Sequence, residues 1–385
     1  MRSVASIRYQ RHSETAHSAM NSSDSEVVSD DILPDNTSLK IRLVVLPVIF
    51  VVGFIGNTLS ASLFFGKSLR TKSCSIYLAT KAISDNGFLL SLFVAWLDFV
   101  DVRIFHTQVV CHVTLFLSYV CGFVSVWSVV MITIENYIRI CRPCEVRSLC
   151  TRYLATRVTI LGVAFACVLY NYPLWTMDVG TTQPHEQKFC QTQPKFERFE
   201  VVMTYVDTVL TLVLPLIIIL ILVSIITVRL IDASKRKDRL RKCSQYSNAN
   251  SMRLNISNAQ AILNSQVTKM LLSVSLVFVC LHTPSYVIRM KATLENLLDH
   301  VTVTSKIDRI LQHFFLVLYY LNFSIYFFIY VGCGQNFRKV LRKKMKQMCR
   351  KQENVPGVTS EYVLSNRAWN ENIELETTKD TLDLE

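Results

Sequence analysis

Polar and apolar residues along this chain fall into long blocks, not into the short alternations of a soluble fold. Leu43–Phe65 contains no charge, and Ser73–Leu97 carries only Lys81 and Asp85. Val113–Ile134 and Val158–Met177 carry none, and Val201–Val228 holds a single Asp207. Met270–Ile288 and Phe314–Val331 are clear of Asp, Glu, Lys and Arg. A helix needs about 20 apolar residues to cross the hydrocarbon core of a bilayer, so each block predicts one span. The pattern predicts an all-α membrane protein, a seven-transmembrane helix bundle.

The charges between the blocks orient it. Lys67, Arg70 and Lys72 follow the first span, and Arg142, Arg147, Arg152 and Arg157 follow the third. Arg229 and the run Lys235, Arg236, Lys237, Arg239, Arg241, Lys242 follow the fifth, and Arg338, Lys339, Arg342, Lys343, Lys344 and Lys346 follow the seventh. All fall on one side, which the positive-inside rule makes cytoplasmic, with the N-terminus extracellular. Three regions are expected: a disordered extracellular N-terminus over 1–40, the seven-helix domain with a short amphipathic eighth helix over 41–349, and an acidic cytoplasmic tail over 350–385. The first 40 residues lack an apolar signal-peptide core, so the first span is expected to act as the signal anchor. Asn21 and Asn36 head glycosylation sequons on the external side, whereas the sequon at Asn255 lies in a cytoplasmic loop.

Composition changes the picture little. The chain has 385 residues, 51% hydrophobic and 18% charged, which excludes disorder, collagen and coiled coil as whole-chain descriptions. Its net charge of +12 is the cytoplasmic face just described, so nucleic acid is not an expected partner; membrane lipids are. No internal repeat is visible, which argues against a transporter built of paired halves. Nothing matches a hydrolase or kinase motif, the histidines are not spaced as metal ligands, and Cys141 and Cys144 have a CxxC spacing without a second ligand pair. Neither an enzyme nor a resident metal is expected.

Motifs inside the spans are more specific. Gly56-Asn57 lies in span one, Leu78-Ala79 and Ser84-Asp85 in span two, and Cys111 opens span three. Glu135-Asn136-Tyr137, then Ile140-Cys141-Arg142-Pro143, ends span three, and Cys190 lies in the second external loop. Pro215 marks span five, Phe278 and Pro284 span six, and Tyr330 ends span seven before a basic amphipathic helix. In order and spacing, over roughly Leu43–Cys349, this resembles the rhodopsin-like (class A) G-protein-coupled receptors. The resemblance implies a receptor that signals from an extracellular ligand to a heterotrimeric G protein, with arrestin and receptor kinases acting on the tail at Ser360, Thr377, Thr378 and Thr381. It implies a Cys111–Cys190 disulfide, and the topology agrees, because no other cysteine falls in an external segment. Cys349, at the end of the amphipathic helix, is a palmitoylation candidate or a free surface thiol.

Asp85 is a carboxylate at membrane depth, and Asn57, Ser125 and Asn322 stand at depths where they could converge on it. In the family such a cluster resembles an allosteric sodium and water pocket; the plainer reading is a polar knot between helices. Several motifs depart from the family. Asn136 stands where the span-three arginine is usual, with Arg139 one turn below Glu135. His282 replaces the usual tryptophan before Pro284, and only Tyr330 survives of the span-seven Asn-Pro-x-x-Tyr motif. These departures keep open a ligand-sequestering receptor with weak coupling. Ser118 stands where amine receptors place an aspartate, and span seven has no lysine for retinal. Trp96, Asp98, Tyr119, Asp207, Arg289 and Gln312 offer instead a mouth of aromatics and mixed charge suited to a short peptide. The whole resembles the invertebrate neuropeptide receptors.

Overall fold

In a computed structural model the described residues run from 36 to 353, apart from 68, 70–71, 101, 183–186, 245–265 and 298–305. They fall into two compact units, one ending at Gly334 and the other beginning at Gln335.

The first unit is a helix bundle. Helix α1 spans Asn36–Phe64, α2 Ser73–Leu97, α3 Gln108–Cys141 and α4 Arg152–Leu169. Thr151 starts α4: its hydroxyl accepts the Leu154 backbone N–H at 3.3 Å and satisfies one orphan donor of the first turn. Helix α5 begins as Glu197–Thr208, widens into a π turn over Val209–Val213 and continues as Leu214–Ser244. Pro215, just after the π turn, has no N–H for the Thr211 carbonyl four residues back, and the Leu210 carbonyl within the turn accepts the Trp127 indole N–H from α3 at 3.1 Å. Helix α6 runs over Gln266–Leu297 with Pro284 inside, and α7 comes in two pieces, Lys306–Asn322 and Tyr326–Cys333, bent by 57°.

Among the described residues, α1, α3, α4 and α5 are each long and apolar enough to cross a membrane, and the two pieces of α7 are so together. The apolar part of α6, Thr268–Pro284, is shorter. Helix α2 is less apolar than these because its interior carries Lys81, Asp85 and Asn86. Side chains such as Val44 and Val48 of α1, Leu161 and Val168 of α4, and Ile221 and Val228 of α5 are exposed. An outward apolar face costs nothing against lipid and would be a liability in water.

Inside, α2 packs along α1 and α3, α4 against α2 and α3, α5 against α3, and α6 against α3 and α7. One core cluster joins Leu46 and Ile49 of α1, Phe88, Leu89 and Leu92 of α2, and Tyr320 and Phe323 at the α7 break. A second joins Phe123 and Val124 of α3 with Ala166, Tyr170 and Tyr172 at the end of α4. Glycine lets α1 reach α7: a Cβ on Gly53 would lie 2.6 Å from the Ser324 Cβ, and one on Gly56 would lie 2.9 Å from the Phe327 Cβ.

The external end carries an antiparallel hairpin, β1 (Met177–Thr182) with β2 (Gln187–Thr192), in which Val179 faces Cys190. Cys190 is bonded to Cys111 at the head of α3, and the bridge lies beside a small cluster of Phe105, Leu115 and Met177. The second unit contains α8, Gln335–Glu353, whose apolar residues recur among Arg and Lys as on an amphipathic helix.

Candidate functional site

The four polar residues expected to converge deep in the bundle sort into two groups. Asp85 and Ser125 meet directly, the Ser125 hydroxyl donating to Asp85 Oδ1 across the α2–α3 interface. Between them lies Lys81, one turn before Asp85 on α2. Its Nζ is 2.9 and 3.1 Å from the two Asp85 oxygens and 3.0 Å from Ser125 Oγ, and it stands 3.9 Å from the centre of the Tyr326 ring. Lys81 and Asp85 are both fully buried. Asn57 and Asn322 serve the α7 break instead. The Asn57 amide donates to the Phe323 carbonyl at 2.8 Å, and the Tyr326 hydroxyl donates to Asn322 Oδ1 at 2.8 Å. A helix that stops at residue 322 leaves carbonyls without helical donors, and Asn57 supplies one of them.

His282 is buried just beyond this ion pair. Its ring lies 4.0 Å from Phe278 within α6 and 5.4 Å from Tyr319 and 6.3 Å from Phe323 of α7, centroid to centroid. The position expected to hold a tryptophan is thus filled by a smaller aromatic among aromatics. Tyr330, also buried, stands edge-on to Phe64 of α1 at 5.1 Å.

At the cytoplasmic foot of α3, Glu135 accepts from the Ser73 hydroxyl at 2.6 Å and from Arg139 Nε at 3.2 Å, with Arg139 Nη2 on the same oxygen. Arg139 Nη2 also reaches Ser73 Oγ at 3.3 Å. The expected one-turn pairing of Glu135 with Arg139 is therefore present, and Ser73 ties it to α2. Asn136 is fully buried with no hydrogen-bond partner for either amide atom. Tyr137, the third residue of the motif, is partly exposed. One turn above, Thr133 and Ser275 join α3 to α6 through their hydroxyls at 2.7 Å.

At the outer end, the Tyr170 hydroxyl donates to Asp207 Oδ1 at 2.7 Å, and Tyr119 stacks on Tyr170 at 5.5 Å with nearly parallel rings. Tyr119 and Asp207 are thus brought into one constellation by a residue, Tyr170, that sequence reasoning did not single out. Trp96 stacks on Phe93 at 5.5 Å within α2. Asp98 bonds His106 Nε2 at 2.9 Å, while His106 Nδ1 accepts the Cys190 backbone N–H at 3.1 Å. This makes Asp98 a brace between the first external loop and the disulfide. The side chains of Arg289, Gln312, Asn36 and Cys349, and Asn21 and Asn255 entirely, lie outside the described residues.

Lys81, His106 and Tyr170 are members of these clusters that the sequence reading passes over. Lys81 had a usable signal, an opposite charge four residues before Asp85 in an otherwise uncharged span. His106 and Tyr170 had none: Asp98 precedes His106 by eight residues, which is no helical pairing distance, and Cys190 and Asp207 are distant in the chain from their partners. Among the described residues no group of His, Cys, Asp and Glu is arranged to hold a metal ion.

Comparison with known proteins agrees with the bundle. The FMRFamide peptide receptor frpr-18 of Caenorhabditis elegans is 28% identical over 135 residues, which cover 32% of this chain and 30% of that protein. The similarity thus spans under a third of the relative's length. A family model described as 7 transmembrane receptor (rhodopsin family) matches residues 56–330, from Gly56 in α1 to Tyr330 in α7. That match covers most of the chain and contains the ion pair, the disulfide and the foot of α3, and the chain belongs to the rhodopsin family of seven-transmembrane receptors.

Proposed function

We propose that this protein is a plasma-membrane receptor that passes the binding of an extracellular neuropeptide to a heterotrimeric G protein. The observation that carries the reading is the outer constellation of Tyr119, Tyr170 and Asp207 inside a rhodopsin-family bundle. A carboxylate held by a tyrosine hydroxyl beside stacked aromatic rings offers a peptide a counter-charge for an amine or guanidinium and a flat apolar surface together. The partial similarity to a receptor for FMRFamide peptides supports a short amidated peptide with a basic residue as the ligand class. Arrestin and receptor kinases are the expected readers of Ser360, Thr377, Thr378 and Thr381 in the tail.

The test is a neuropeptide library applied to cells expressing the receptor, read by calcium release and by arrestin recruitment. An amidated peptide is expected to respond, with Asp207→Asn lowering its potency at least about tenfold, the equivalent of about 1.4 kcal/mol, at equal surface expression. Silence across the library at confirmed surface expression contradicts the reading.

A second reading, a ligand-sequestering receptor with weak coupling, is favoured by one observation. Asn136 stands buried and unpartnered where the family's arginine is usual, and it brings no charge to the cytoplasmic foot of α3. Ligand uptake without calcium release would select it.

A further inference from the structure

A carboxylate in a bundle interior needs a positive partner, because the low-dielectric surroundings strongly disfavour an unpaired charge. The family resemblance supplies that partner from outside, as a sodium ion. Here the chain supplies its own. An ammonium has three donors, and Lys81 Nζ directs itself to three acceptors: Asp85 Oδ1 at 3.1 Å, Asp85 Oδ2 at 2.9 Å and Ser125 Oγ at 3.0 Å. The face of Tyr326, 3.9 Å away, attracts the same cation. Both carboxylate oxygens are thereby taken, and they are the oxygens a mobile cation would require. A second monovalent cation brought to this carboxylate would face the ammonium at close range in a medium of low dielectric.

We infer that Lys81 is a tethered cation standing in the place of an exchangeable sodium ion, so that the stability of this receptor is indifferent to sodium. The tether also changes what the cluster can do. A free ion can leave the bundle; the Lys81 ammonium can only swing on its own stem. Lys81 joins α2 to Ser125 of α3 and to Tyr326 just past the α7 break, and Tyr326 in turn bonds Asn322. Movement at the break is therefore felt by the ion pair without any exchange of ions with solvent.

The experiment uses the purified full-length receptor and sodium itself as the probe. Melting temperature is measured in sodium chloride and in N-methylglucamine chloride at the same ionic strength of about 0.15 M, which holds screening constant. The wild-type receptor is expected to melt at the same temperature in both. Lys81→Met frees the Asp85 oxygens and removes the tethered charge, and it is expected to gain about 3 °C in sodium, as for a ligand near ten times its dissociation constant. Lys81→Met combined with Asp85→Asn, which removes the carboxylate as well, should again melt identically in the two salts. Where Lys81→Met does not fold, Lys81→Gln, which retains a donor for Asp85, takes its place. A sodium-dependent rise in the wild-type receptor overturns the inference, and so does a lysine variant that ignores sodium. The readout does not involve the peptide or the G protein, so its failure is distinct from failure of the receptor reading.

Discussion

Asn136 sits at the foot of α3 with both amide atoms buried and unpartnered. An unsatisfied buried polar group costs about 1–3 kcal/mol, whereas an apolar side chain of the same shape avoids that cost. Asn136→Leu should therefore raise the melting temperature of the purified receptor, by the equivalent of about 1 kcal/mol. A fall would show that the amide is satisfied in the working protein. Asn136→Arg asks a different question. It restores five donors and a fixed charge, so it should raise agonist-driven nucleotide exchange at equal surface expression if the foot of α3 limits coupling. Arg139 is held by Glu135 and Ser73, so Arg139→Ala should lower whatever coupling is present. Exchange unchanged by either substitution would place the G-protein contact on the internal loops.

Individual elements show where the sequence was readable and where it was not. The spans were legible because a bilayer imposes one length on every one of them, and the Glu135–Arg139 pair because helical spacing alone brings i and i+4 together. The basic run after span five lies beyond the apolar block that ends at Val228, yet α5 continues through it to Ser244. Its Lys and Arg are good helix formers with no Gly or Pro among them, and hydropathy marks where a span leaves the membrane, not where its helix stops. The hairpin β1–β2 was invisible because its strands are short and largely polar, with alternation limited to Met177-Asp178-Val179. Asn57 and Asn322 were expected to meet Asp85, but the helix break at residue 322 draws both to itself, which no spacing rule foretells. The disulfide fastens that same hairpin to the head of α3. Cys111→Ser and Cys190→Ser should each cost about 2–5 kcal/mol and lower surface expression, and the double variant should be no worse than either, because one bridge is lost in all three. A clearly additive loss would mean that the two cysteines act separately.

Across the whole molecule, the apolar outer faces place the bundle in lipid, the tyrosine–aspartate constellation lies toward the external end, and the Ser73–Glu135–Arg139 cluster lies on the inside. Between them run the aromatic contacts of His282 with Phe278, Tyr319 and Phe323, then the ion pair of Lys81 and Asp85, which meets α7 at Tyr326 just past its break. In a rhodopsin-family receptor an arrangement of this kind suits the reporting of an outer event to an inner partner. The direct measurement is peptide-stimulated nucleotide exchange on added G protein, in membranes from cells expressing the receptor and from cells that do not. A peptide that binds the expressing membranes should raise exchange in them alone, and Asp207→Asn should shift its dose dependence to higher concentration. A peptide that binds at matched receptor density and leaves exchange at the level of the empty membranes would contradict the account.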